Sequence, residues 1–169
     1  MSDKTTDNAY LRLIEIGKAL SAERNIDSLL QHILEEAKSL ATADAGTIYL
    51  NLDKISLKFA IVLNDTLDSR PDNPSGPMNL PDISLYNSDG SPNLNNIASS
   101  AAHSGETIVV GDVASIEELG FSGPKKFSKL LDYPTISLLT VPLKTMADES
   151  LGVLQLLNAT DSKGYFVPF

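Results

Sequence analysis

The chain has 169 residues, with 13 Lys and Arg against 22 Asp and Glu, giving a formal net charge of −9. That length suits one domain burying roughly 70% of its unfolded surface, and a composition of 42% hydrophobic and 21% charged residues excludes wholesale disorder. The acidic surplus excludes a binder of the nucleic-acid backbone, which needs clustered Lys and Arg. The absence of cysteine excludes disulfides, thiolate metal sites, iron–sulfur clusters, thiol nucleophiles and thioether-linked chromophores.

The opening Met1-Ser2-Asp3-Lys4-Thr5-Thr6 has no apolar core of a signal peptide, and no 18 apolar residues run together. A soluble, cytoplasmic domain without a membrane partner is expected. The stripe Tyr10, Leu13, Ile14, Gly17 and Leu20 predicts a helix from about Asn8 to Ala22. A stronger stripe of Ile26, Leu29, Leu30, Ile33, Leu34, Ala37, Leu40 and Ala41 predicts a second over Asn25–Thr42, with Asn25 and Asp27 at its entry turn.

Two strands follow. Gly46–Leu50 is rich in β-formers, and Ser56–Leu63 alternates, placing Leu57, Phe59, Ile61 and Leu63 together on one face. From Asp65 to Asn95 the chain carries five of its nine prolines, five Asp and one Arg, and reads as a long lid-like loop. Ile83–Tyr86 is a candidate strand inside it. Asn96–His103 reads as a short helix stopped by Gly105, and Glu106–Val110 as a strand. Asp112 with Ser115 and Glu118 suggests a capped helical turn; Gly120–Pro124 is a loop and Lys125–Leu131 a further short helix. Two nearly all-apolar strands, Ser137–Leu143 and Leu151–Asn158, close the pattern around a turn at Met146–Glu149. Tight hairpins and segregated helices favour an α+β fold on an antiparallel sheet.

Catalytic signatures are sparse. His32 and His103 lie on different elements without ligand spacing, and neither a nucleophile elbow nor a phosphate-binding glycine loop is present. No metal, cofactor or enzymatic activity is expected. A ligand shelf is more plausible chemistry: the first amides of the short helix, Ile97 and Ala98, lack intrahelical partners and suit a phosphate or carboxylate. The alternative is that Asn95 or Asn96 merely caps that helix. Thr140 is the lone hydroxyl in an apolar run and either enters a pocket or is a tolerated β-branched residue; Gln155 is equally ambiguous. Asp112 is either a base or an N-cap.

These residues resemble a GAF domain across essentially the whole chain. The likeness lies in Leu13–Ser21, Leu29–Ala45, Ala45–Leu50, Asn64–Leu67, Leu139–Leu143 and Leu151–Asn158. It is strongest toward the GAF domains that precede HD-GYP phosphodiesterases and nucleotide cyclases in bacterial signalling proteins. The resemblance implies a six-stranded antiparallel sheet with N-terminal helices on one face. On the other face it implies short helices and a long loop over a ligand pocket. It also implies a regulatory role in which a small molecule, a cyclic nucleotide or another, alters a C-terminal output domain, or in which terminal helices pair subunits into a homodimer. Of the family's Asn-Lys…Phe…Asp-Glu signature, Asn158 and Phe169 fit, Ala159 replaces Lys, and the acidic pair is missing. A single domain spanning 1–169, excised from a longer protein, is therefore expected. Phe127–Tyr133 keeps the aromatic ends of the relatives' Phe-Asp-x-x-Thr-Gly-Tyr but loses its Asp, Thr and Gly. The expected ligand-binding positions are Asn96, Ile97, Ala98, Asp112, Ser122, Phe127 and Thr140. Phe127 would stack on a planar part of the ligand and Asp112 would order the wall.

Overall fold

The computed structural model describes residues 3–68, 80–119, 121 and 132–169. In chain order these form α1 (Asp3–Ala22), α2 (Ile26–Ala41), β1 (Ala43–Leu50), β2 (Ser56–Asn64), α3 (Asp65–Asp68) and β3 (Ile83–Ser84). Then come α4 (Ile97–Ser104), β4 (Ile108–Val110), a 3-10 helix (Val113–Leu119), β5 (Leu138–Lys144), β6 (Ser150–Thr160) and β7 (Phe166–Val167). The helix expected over Lys125–Leu131 and the loop Gly120–Pro124, apart from Phe121, lie outside the described residues, as does the middle of the Pro-rich loop.

Local chemistry sets the helix ends. Asn25 Oδ1 accepts from the amides of Asp27 and Ser28, and Thr42 closes α2 in the left-handed region, its amide donating to the Lys38 and Ser39 carbonyls. The inner stripe of α2, Leu30, Ile33, Leu34, Ala37 and Ala41, packs on Ile48, Leu154 and Leu156 of the sheet. Gly46 permits that approach, because a Cβ there would stand 2.7 Å from Leu34 Cδ1 and 3.0 Å from Leu156 Cδ2. Lys38 lies buried on the same helix face, and its ammonium pairs with Asp65 at the start of α3.

Strand order is β3-β2-β1-β6-β5-β4, with every pairing antiparallel, as expected for six strands. A seventh strand was not anticipated. The two-residue β7 pairs with the end of β6 across a turn in which Asp161 Oδ1 accepts the Lys163 and Tyr165 amides. Two residues carry too little periodicity to be read from sequence.

The expected single apolar face of β2 is overturned. Tyr49 pairs with Phe59 while the preceding Ile48 pairs with Ile61, so Ala60 is an extra residue in a β-bulge. Leu57 and Phe59 therefore pack on the α4 side with Tyr49 and Val153, whereas Ile61 and Leu63 pack on the α2 side. One inserted residue exchanges the faces, because strand side chains alternate with period two.

Candidate functional site

On the sheet face away from α2, register places three polar residues side by side. Thr47 of β1 pairs with Gln155 of β6, and Gln155 pairs with Thr140 of β5. Val62 and Ile108 extend the same row on either side. Thr140 is 0% and Thr47 2% exposed. Gln155 Nε2 donates to Thr140 Oγ1 at 3.0 Å, and the Tyr49 hydroxyl donates to Gln155 Oε1 at 3.3 Å. Burial pushes the Tyr49 phenol far above its ordinary value, and a hydrogen bond from Thr47 partly offsets the rise.

Two apolar clusters flank this row along the strands. One contains Ala45, Leu138, Leu157, Val110, Val113, Ile116 and Tyr133; the other contains Tyr49, Leu57, Leu85 and Val153. Helix α4 spans both, since Ile97 packs in the first and Ala98 in the second. Helix α4 packs against β5 and β6, the strands that carry Thr140 and Gln155. Its small residues, Ala98 and Ala101, let it sit close to the strands.

Asn96 is the N-cap of α4: its side chain accepts the Ser99 amide at 3.1 Å and its carbonyl the Ser100 amide at 2.8 Å. Its side chain is thereby used in capping, which favours the cap reading of this residue over a ligand contact. The amides of Ile97 and Ala98 remain outside these bonds. Asp112 is exposed and accepts the Ala114 amide at 2.8 Å, so it caps the 3-10 helix. Ser122 and Phe127 lie outside the described residues. His103 anchors the loop before α4, with Nε2 at 2.6 Å from the Leu85 carbonyl and its ring edge-on to Tyr86. His32 is exposed on α2. Among the described residues no cluster of three or more His, Asp or Glu is placed to hold a metal ion.

Sequence reasoning singled out Thr140 and noted Gln155, but missed Thr47 and Tyr49. The signal was present in their spacing: two hydroxyl-bearing residues two apart on β1 share one face. In Gly46–Leu50 they read simply as β-formers.

A second polar cluster fixes the border of the site. Tyr133, wholly buried where the chain returns from residues 122–131, donates to Asp44 Oδ2 at 2.6 Å, and Thr66 donates to Asp44 Oδ1 at 2.9 Å. Burial, followed by the adjacent Asp44 carboxylate, drives the Tyr133 phenol well above its ordinary value. Asn158, buried and in the left-handed region, accepts the Ile136 and Ser137 amides and donates to the Pro134 carbonyl. It clamps the segment entering β5. Ser137 Oγ donates to the Val167 carbonyl, tying that segment to β7. Among the described residues no helix is long and apolar enough to cross a membrane.

Comparison with known proteins agrees with this architecture. The profile of the GAF domain matches residues 25–168. The GAF domain of an Acinetobacter phosphoenolpyruvate-protein phosphotransferase superposes with a TM-score of 0.62 at 14% identity, covering 94% of this chain and 80% of the other. Free methionine-R-sulfoxide reductase from Neisseria meningitidis, solved with its substrate, gives 0.59 at 19% identity, covering 93% and 74%. The A. aeolicus nlh2 GAF domain in an inactive state gives 0.58 at 17%, covering 88% and 78%. No curated protein matches the chain significantly.

Proposed function

Because this chain belongs to the GAF domain family, whose members are sensory and regulatory domains of signalling proteins, we propose that it binds a small molecule between the sheet and the segment 96–131. Occupancy would be passed to an attached C-terminal output domain in the cytoplasm. A phosphodiesterase of the HD-GYP kind or a nucleotide cyclase is the output we favour, and cyclic nucleotides are candidate ligands. Ser122 and Phe127 keep their proposed places in the wall.

The observation that carries this reading is the buried row Thr47–Gln155–Thr140 between two apolar clusters beneath α4. Hydrogen-bonding groups set among apolar surfaces are the usual composition of a small-molecule site. Coupling to an output requires the ligand to favour one of two arrangements of the flanking elements. Calorimetric titration with cyclic AMP, cyclic GMP and small carboxylates, with Thr140→Val as control, tests it. Saturable heat that Thr140→Val weakens supports the reading, and unchanged affinity in the variant removes Thr140 from the site.

A second reading is a dimerisation module. Leu13 and Ile14 of α1, with Ile26 and Leu40 of α2, are each more than half exposed, and such an apolar surface suits a second copy. Sedimentation decides: a dimer that Leu13→Glu with Leu40→Glu dissociates supports it, and a monomer at all concentrations rejects it.

A further inference from the structure

We propose that α3 is a conformational coupler: this single helical turn joins the α4-side interior to helix α2 round the end of the sheet, so that a shift of Tyr133 is felt at Lys38. The two residues lie on opposite faces. Lys38 is buried on α2, with its Cγ 3.3 Å from where a Cβ of Gly46 would stand, and Leu34, one turn earlier on the helix, flanks the same spot. Tyr133 is wholly buried and packs in one cluster with Ala45, the neighbour of Gly46 on β1. Successive residues of a strand point to opposite faces.

Helix α3 reaches both. Its first residue, Asp65, accepts from the Lys38 ammonium. Its third, Leu67, is buried in the apolar cluster that contains Tyr133. Between them, Thr66 donates to Asp44 Oδ1 at 2.9 Å, and the other oxygen of that carboxylate accepts from Tyr133 at 2.6 Å. Buried Asn64 fixes the entry to the turn, its Oδ1 accepting the Leu67 amide at 2.8 Å. A continuous path therefore runs from ammonium to phenol through Asp65, Thr66 and Asp44.

Unequal burial at the α2 end gives this link two arrangements. The Asp65 side chain is 71% exposed, whereas that of Lys38 is 8% exposed. Lifting α3 returns a solvated carboxylate to water with little penalty. It also leaves a buried ammonium without that partner, which is strongly unfavourable, so the last turn of α2 must loosen for Lys38 to reach water. Docked α3 thus goes with a tight end of α2, and lifted α3 with a loose one. Coupling between two sites needs an element of this kind that both sites bias. As a route for a ligand signal it rests on the reading above that the α4 side is the ligand site; the coupling itself needs no ligand.

The test is a thermodynamic cycle on the full chain by urea unfolding, with Lys38→Met and Tyr133→Phe alone and together, each in the parent and in Thr66→Val. Unlinked changes multiply in the unfolding constant to within about twofold. In the parent, the double variant should be less destabilised than that product by about fivefold or more, because either change alone already opens the path. In Thr66→Val, which breaks the path between Asp65 and Asp44, the discrepancy should shrink to within about twofold. A multiplicative cycle in the parent overturns the proposal, as does a discrepancy that survives Thr66→Val. Where a combination is too unstable to measure, native-state hydrogen exchange of Tyr133→Phe decides. The amides of Leu67 and of Leu40, Ala41 and Thr42 at the end of α2 should quicken about fivefold or more beyond that of Ile33 in its middle. Quickening of Leu67 without the α2 amides overturns the coupler. Coupling in a chain that calorimetry finds to bind no ligand would remove the ligand reading and keep the coupler; binding without coupling would do the reverse.

Discussion

The Tyr133 hydroxyl donates to the Asp44 carboxylate at 2.6 Å across 89 positions of sequence. Asp44 also receives Thr66 from α3, so one carboxylate joins the residues that follow β2 to those that precede β5. Tyr133→Phe keeps the ring, with its edge-to-face contact to Phe166, and removes the hydroxyl with its bonds to Asp44 and Asn158. The variant should lose about 1–3 kcal/mol in urea unfolding, and hydrogen exchange at Ile136 and Ser137 should quicken while Ile48 keeps its protection. Unchanged exchange at both would show that the bond does not hold the segment.

Thr140→Val removes the acceptor of Gln155 Nε2 in a buried setting. The single variant should lose about 1–3 kcal/mol, whereas Thr140→Val with Gln155→Leu should lose less than the sum of the two, because the double variant no longer leaves Gln155 Nε2 without its acceptor, although the Tyr49 hydroxyl still loses Gln155 Oε1. Additive losses in a double-mutant cycle would dissolve the coupling.

Two glycines predict opposite outcomes for the same change. At Gly152, φ is 158° and a Cβ would fall 2.0 Å from the Tyr49 carbonyl oxygen. Gly152→Ala must break the β1–β6 pairing and should cost more than about 4 kcal/mol, or prevent folding. At Gly17, within α1, nothing lies within 4 Å of a Cβ. Gly17→Ala should stabilise by about 0.5–1 kcal/mol through helix propensity. Thermal unfolding of the pair reads both.

Acid stability should report on the β1–β2 turn. The amides of Ile55 and then Ser56 donate to the Asp53 carboxylate and hold its pKa at about 2, below the ordinary 3.8. A depressed folded value means the contribution is complete above the unfolded pKa and disappears as pH falls through the range from 3.8 toward 2. Asp53→Asn should therefore show a shallower loss of stability over that window. Identical slopes for parent and variant would contradict it.

Much of this was legible in sequence where one element determines its own geometry. The period and cap of α2, the cap of α4 at Asn96 and its stop at Gly105 all follow from residues within a turn of one another. Thr140 stood out as a hydroxyl in an apolar strand. What sequence could not supply was relation across strands: Thr47 and Tyr49 became notable only when register set them beside Gln155. Asn158 showed a family signature but not its work, which is to satisfy three backbone groups of residues 134–137. Asp112 remained ambiguous until its carboxylate was found on the Ala114 amide.

The extra residue at Ala60 divides β2 between two allegiances. Its first half, with Leu57 and Phe59, packs on the α4 side, and its second half, with Ile61 and Leu63, packs on the α2 side. A strand threaded in this way is a mechanical link between a ligand-side interior and a helix-side interior. Excising that single alanine would sever the link by forcing one half to face the wrong way.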